Sequence, residues 1–349
     1  MIYDMYSKAD EKLEYVIYGD TDSFFVDMTD LYCSKYNVKK DNLDQIVILD
    51  INRAEKNSLT ESYFSNMKEL SDELRQKVTQ QMFVLFSDTL NCKRQNTIDF
   101  KLEWVATTLK MIAQKSYVYK QLHVDNIKKK NFGVKRSDPI YTKTHLDQIV
   151  DVLFKYGVTD KFILETCLII KEYLTKLSKF DQSCGIPTTI GINISKYKTL
   201  TAQLKGLVNF SCIRMLMRKM HDIDIPISGT FEYKGFRYIV KPMNNLTKYG
   251  EFLKTMYDKF QEKNSLIKFS MNNFSEIFIP DNVYTRKDFD SITDVLSTYL
   301  QPDYHKMATL SLYNYIERLS GLSFDYHLCT YLQQTENLDI NILKKYVKA

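Results

Sequence analysis

Glycine and proline are scarce in this chain of 349 residues, ten and six respectively, which excludes collagen-like repeats, elastic linkers and low-complexity disorder. No run approaches the ~18 apolar residues of a membrane-spanning helix, so no membrane partner is expected. The six cysteines, at 33, 92, 167, 184, 212 and 329, contain no Cys-x-x-Cys pair, and the five histidines stand apart. That spacing argues against a Cys/His zinc site and for reduced thiols in a cytosolic setting. The residues from Met1 to Tyr15 show no apolar stretch behind a basic start, so no secretory leader is expected. What is abundant is hydrophobic mass, 44% of residues, with 25 tyrosines and 20 phenylalanines. A chain of this length and apolarity fills about two domain cores.

Charge is unevenly spread. Residues 1–100 carry 12 basic and 18 acidic side chains, residues 101–150 carry 10 and 4, and the remainder 26 and 21. An acidic element that needs cations, followed by a surface for a polyanion, is one reading; solvated lysine-rich helices are the other.

Local patterns predict an α+β protein. Glu14–Tyr18 and Ser23–Val26 are β-branched and aromatic runs around the turn-forming Gly19-Asp20-Thr21-Asp22, hence a β-hairpin with two carboxylates at its tip. Apolar residues from Met67 through Leu70, Leu74, Val78 and Met82 to Leu85 recur at helical spacing, predicting an amphipathic helix over 59–87 that covers the sheet. Strands are expected near 98–106 and 115–122, with Lys128–Arg136 as loop and hinge. Helices are expected from Thr144, over 162–177, 204–220, 248–262, 287–300 and 303–319, broken at Gly185-Ile186-Pro187. A hairpin over 230–240 is expected to turn at Lys234-Gly235.

The stretch Tyr18-Gly19-Asp20-Thr21-Asp22-Ser23 is the most informative. Two carboxylates two residues apart on a rigid turn offer hard oxygen donors suited to Mg²⁺, which keeps waters and substrate phosphates as its other ligands. Two such ions can serve an in-line phosphoryl displacement. An Asp-x-Asp turn alone says little, but six specified residues coincide by chance about once in a hundred thousand such chains on average usage.

These residues, followed by Phe24-Phe25-Val26, resemble motif C in the palm of family B DNA polymerases. Later features keep that family's order. Glu103 resembles an acid on the next palm strands, Lys115-Ser116-Tyr117 resembles the Lys-x-Tyr motif, and Gly133–Pro139 resembles the passage from palm to thumb. Lys205-Gly206 and the segment 230–240 are similar to thumb features of the T-even bacteriophage branch. The resemblance implies that Asp22 bridges two Mg²⁺ ions and that Asp20 is the second catalytic carboxylate. It implies that Lys115 reaches the minor groove at the primer terminus and Tyr117 the primer-strand phosphates, with Lys135, Arg136 and Ser137 as further DNA contacts. Gln114 and Ser116 stand where the family usually has basic residues, which lowers the positive charge. Independently of the family, Lys and Arg interleaved with Tyr (Lys115, Tyr117, Tyr119, Lys120, Lys135, Arg136, Tyr141, Lys143) can neutralise phosphates without reading sequence.

Two further signatures of that family, Asp-x-x-Ser-Leu-Tyr-Pro and Asn-Ser-x-Tyr-Gly, do not occur in the 349 residues. Ser311-Leu312-Tyr313 imitates the first, but Ala308 and Asn314 do not fit it, and an amphipathic helix is expected there. The expected architecture is a partial palm at 1–130, an antiparallel sheet with the acidic hairpin and a packed helix, followed by a mainly helical thumb at 131–349. A partner is expected to supply the fingers, exonuclease and remaining palm, leaving an exposed apolar docking surface here. The resemblance implies primer–template DNA and dNTP as substrates and the cytoplasm of an infected host cell as the setting; whether Leu343–Val347 contacts a sliding clamp is a question the sequence leaves open. The competing expectation is a non-catalytic module that binds duplex DNA.

Overall fold

The computed structural model describes residues 16–19, 24–41, 58–90, 102–122, 127–193, 230–242, 276–280, 293–294, 297 and 300–348. The chain divides into two compact units, Met1–Gly133 and Val134–Ala349, where the sequence suggested a division after 130. Both combine helices with antiparallel sheets, a mixed α+β fold.

In the first unit, β1 (Val16–Gly19) pairs with β2 (Phe24–Val26), Tyr18 opposite Phe25 and Gly19 opposite Phe24. The connection Asp20–Ser23, with both acids Asp20 and Asp22, lies outside the described residues. Helix α1 (Thr29–Tyr36) begins where Asp27 Oδ1 accepts the Thr29 N–H at 2.9 Å. It ends at Asn37, whose φ of 53° is left-handed and whose N–H reaches the Cys33 carbonyl. Asparagine tolerates that conformation better than most residues.

Helix α2 (Ser58–Leu90) fills and slightly exceeds the expected span. Tyr63, Met67 and Leu70 share a core with Tyr32 of α1, Val105 and Leu122. One turn on, Leu74 and Val78 pack with Val26 and Met28, so α2 holds the strand that leaves the hairpin. Lys35 of α1 adds ion pairs to Glu69 and Glu73 at 3.1 and 2.6 Å. The stripe does not continue as expected: Phe83, Val84 and Leu85 are exposed.

Strands β3 (Ala106–Ala113), β4 (Ser116–Gln121) and β5 (Ile127–Lys130) form one antiparallel sheet in that order. The strand expected at 98–106 therefore runs later; residues 102–105 carry no regular structure. The reason is register, since the two-residue turn Gln114-Lys115 sets Ala113 opposite Ser116 and gives β4 its partners from Ala106 onward. Lys128–Lys130, expected as a loop, is the outer strand of this sheet. Lysines suit that position because their solvated heads discourage pairing with another chain.

In the second unit, α3 (Ile140–Tyr156) and α4 (Asp160–Leu177) pack together, and each has a buried face, with Leu146, Ile149 and Val150 on the first and Phe162, Ile170 and Leu174 on the second. Gly157, at φ 60°, ends α3. The break at Gly185-Ile186-Pro187 opens β6 (Ile186–Asn193), which pairs with β7 (Thr230–Pro242); β7 also pairs with β8 (Glu276–Pro280) and β9 (Leu300–Pro302). The expected hairpin at Lys234-Gly235 is thus replaced by one continuous 13-residue strand. Gly235 sits mid-strand, opposite Thr188 on one side and Pro280 on the other. Ladder bonds on both sides outweigh the turn tendency of a single glycine. Gly185 is needed for space: a Cβ there would lie 2.7 Å from Phe236 Cβ and 2.8 Å from the Tyr238 ring.

After Leu300, where strand replaces the end of the helix expected at 287–300, the chain is helical through α5 (Tyr304–Ala308), a π turn (Thr309–Tyr313) and α6 (Asn314–Ser320). Ser311, Leu312 and Tyr313 are buried in that turn. The helices expected at 204–220 and 248–262, and Lys205-Gly206, lie outside the described residues. Short β10 (Ser323–Phe324), α7 (Leu328–Gln334), α8 (Ile340–Tyr346) and β11 (Val347–Lys348) complete the unit. Leu343 and Val347 are buried, and exposed Lys344 pairs with Asp160 at 2.7 Å. No helix among the described residues is long and apolar enough to cross a membrane.

Candidate nucleic-acid interface

The centre of the site is a row of aromatic rings in the first unit. Alternation along β4 buries Ser116, Val118 and Lys120 and leaves Tyr117, Tyr119 and Gln121 partly exposed on the other face. Phe25 of β2 lies edge-on to Tyr117 at 4.9 Å and against Trp104 at 5.1 Å, and Trp104 stacks on Tyr119 at 4.1 Å. The strand that follows the acidic run is therefore tied directly to β4, which carries Tyr117 of the Lys-x-Tyr motif. Across the sheet Tyr117 stands opposite Lys130 and Tyr119 opposite Lys128, and opposite residues share a face. Two exposed lysines thus flank two half-buried tyrosines, an arrangement that can neutralise phosphates while offering ring faces for stacking.

Lys115 lies outside the strand pairing, at the second position of the turn between β3 and β4, exposed and with φ of 60°. Its carbonyl accepts from Asn131 Nδ2 at 2.8 Å, and Ser116 Oγ donates to the Asn131 carbonyl at 3.2 Å. The turn is thereby fixed to the end of β5, which holds Lys115 at the same edge of the sheet as Lys130.

Glu103 is exposed in the segment before β3, at a pocket of about 310 Å³ that Trp104 and Lys68, Asp72 and Arg75 of α2 also line, with Arg75 paired to Asp72 at 3.5 Å. Burial first, and the nearby Glu103 charge second, push the Tyr119 hydroxyl above its ordinary range. Glu103 is thus a neighbour of the aromatic row and of α2 cations. Among the described residues no three His, Cys, Asp or Glu side chains gather into a group that could hold a metal ion.

Lys135, Arg136 and Ser137 are exposed in the second unit, on the loop ahead of α3. Lys143 is exposed one turn into that helix. Two members of the basic and aromatic series are corrected by their burial. Lys120 is 3% exposed on the inner face of β4, and Tyr141 is 1% exposed with its hydroxyl donated to the Ile169 carbonyl at 2.9 Å. Neither can meet a phosphate in this conformation. Trp104 is a member of the site that residue pattern did not single out, and Phe25 entered only as one of the apolar residues after the acidic run. The signal in the sequence was the lone tryptophan adjoining Glu103, and the period-two alternation that sets Phe25 apart from Phe24.

Neither the family models nor the curated proteins searched contain a match to this chain.

Proposed function

We propose that this chain is the motif C and thumb portion of a family B DNA polymerase, contributing two catalytic carboxylates and a duplex-gripping surface to nucleotidyl transfer onto a primer 3′-hydroxyl. A partner polypeptide supplies the dNTP-binding residues, the exonuclease and the other metal-bridging acid. The observation that carries this reading is the run Tyr18–Ser23 at the connection of two paired strands, with Phe25 just beyond it packed on Tyr117.

Asp20 and Asp22 are hard oxygen donors of the kind that hold Mg²⁺. Bound there, two such ions would activate the attacking hydroxyl and neutralise the leaving phosphate. The described residues of this chain do the remaining work. Tyr117 and Tyr119, with Lys128 and Lys130, offer sequence-indifferent contacts to the backbone, Lys115 is offered to the minor groove, and Phe25 and Trp104 pack that surface against β2, the strand that follows the acids in sequence.

Primer extension by the chain together with its co-purifying polypeptide tests the proposal. Asp22→Asn is expected to abolish extension and leave duplex affinity unchanged. Asp20→Asn is expected to lower Mn²⁺ affinity less than Asp22→Asn in calorimetric titration. Extension that survives Asp22→Asn leaves the second reading, a module that binds duplex DNA, which the lysine and tyrosine face favours because that face needs no acids.

A further inference from the structure

Lys135, Arg136 and Ser137 are exposed, yet the loop that carries them is clamped. Asp138 is only 6% exposed and turns its carboxylate back on the loop. Its Oδ2 accepts the Lys135 N–H at 2.5 Å and also the hydroxyl of Tyr315, while its own N–H donates to the Lys135 carbonyl at 3.1 Å. Lys143 Nζ donates to the Arg136 carbonyl at 3.1 Å. The two reciprocal bonds between residues 135 and 138 close the loop locally, and Tyr315 on α6 anchors it to an element 177 residues away. A buried carboxylate is costly unless it is fully bonded, and bonds to an ionised acceptor are the stronger kind.

We propose that Asp138 and Tyr315 are positioning residues that hold Lys135–Ser137 ready for the phosphates of a nucleic-acid backbone. The inference rests on the DNA-binding part of the function proposed above. A loop ordered in advance spends less of its binding energy on becoming ordered when it meets its ligand. The carboxylate that orders it faces inward, so its charge does not stand between the lysine and arginine heads and that ligand.

The test is fluorescence anisotropy of a labelled primer–template duplex with the 349-residue chain between 50 and 200 mM salt, as a thermodynamic cycle. The double variant Lys135→Ala/Arg136→Ala is expected to flatten the slope of log affinity against log salt by about 0.9 for each phosphate it no longer neutralises. Tyr315→Phe is expected to weaken binding about five-fold, in line with loop ordering becoming part of the binding step. In the Lys135→Ala/Arg136→Ala background it is expected to have no further effect. Asp138→Asn keeps an acceptor and should retain most of the affinity that Asp138→Ala forfeits; a merely structural role gives no such rescue and no coupling to Lys135 and Arg136. Should Asp138→Ala melt below the assay temperature, Tyr315→Phe and Asp138→Asn still decide the matter. Wild-type affinity in Tyr315→Phe, or an effect undiminished in the double-variant background, overturns the positioning role. If the double variant itself binds like wild type, the loop does not touch the duplex, and it is the DNA-binding assignment of this loop that fails.

Discussion

One row of aromatic residues in each unit makes a contrast, apart from core rings such as Tyr32, Tyr63 and Phe132 in the first. In the first unit Phe25, Trp104, Tyr117 and Tyr119 form a half-exposed row beside lysines. In the second, Tyr141, Tyr173, Tyr238 and Tyr313 are among the largest fully buried side chains. Each hydroxyl there is bonded: Tyr173 to Ser311 Oγ at 2.9 Å, Tyr238 to the Phe180 and Asp181 carbonyls at 3.0 Å, Tyr313 to Cys329 Sγ at 3.0 Å, and Tyr141 to Ile169. Tyrosine can be core or contact surface because it joins a large apolar ring to a polar tip, and burial with a partner for that tip decides which. In the second unit Tyr141, Tyr173, Tyr238, Tyr313 and Tyr315 thus serve internal cohesion. Among the described residues, Phe83, Val84 and Leu85 on α2 are three consecutive exposed apolar side chains.

Truncating one ring from each class puts this contrast at greatest risk. Tyr238→Ala is expected to cost ~3–5 kcal/mol in chemical denaturation, since it empties a fully buried site. Tyr117→Ala removes partial ring packing on Phe25 and Tyr119 and should cost only ~1 kcal/mol, while lowering duplex affinity several-fold. Equal stability losses would erase the distinction between the two rows.

Alkaline melting separates the units in a second way. Burial pushes the Cys167 and Cys184 thiols up to about 12 and Cys329 to about 11, from an ordinary 9.0. Above pH 9 these thiols ionise in the unfolded chain while the folded state keeps its protons. Stability of the second unit should therefore hold below that pH and fall as pH rises toward 11 and 12, by at most about 1.4 kcal/mol per unit for each thiol. In the first unit Tyr63 is pushed from 10.0 to about 12, so its loss should begin later, above pH 10. Melting curves at successive pH values, read with Trp104 fluorescence for the first unit, check the order. The smallest expected effect is at Lys344→Ala: its pair with Asp160 is about half exposed on both sides, and removing it should change stability by no more than ~0.5 kcal/mol.

Much of the layout was legible. Met67 to Val78 recurs at a helical period, and α2 results; the apolar runs on either side of Asp20–Ser23 pair as strands. The failures have physical causes. Lys234-Gly235 has the composition of a turn, but β6 and β8 give it ladder partners on both sides. Leu85 keeps the apolar period but finds no core among the described residues. Lys120 and Tyr141 match the phosphate-binding pattern as well as Tyr117 does, and the pleat of β4 and the face of α3 turn them inward. A pattern records which side chains could reach a ligand; the parity of a strand decides which do.

By itself the sequence determined the paired acids between two short strands, the jump in positive charge after residue 100 and the amphipathic helices, because these depend only on residue type and spacing along the chain. Only the tertiary structure decided that Phe25 meets Tyr117, that Lys128 and Lys130 share a face with the tyrosines, and that Asp138 is held by Tyr315 from 177 residues away. Such contacts depend on strand register and on long-range packing, and neither is written in local spacing.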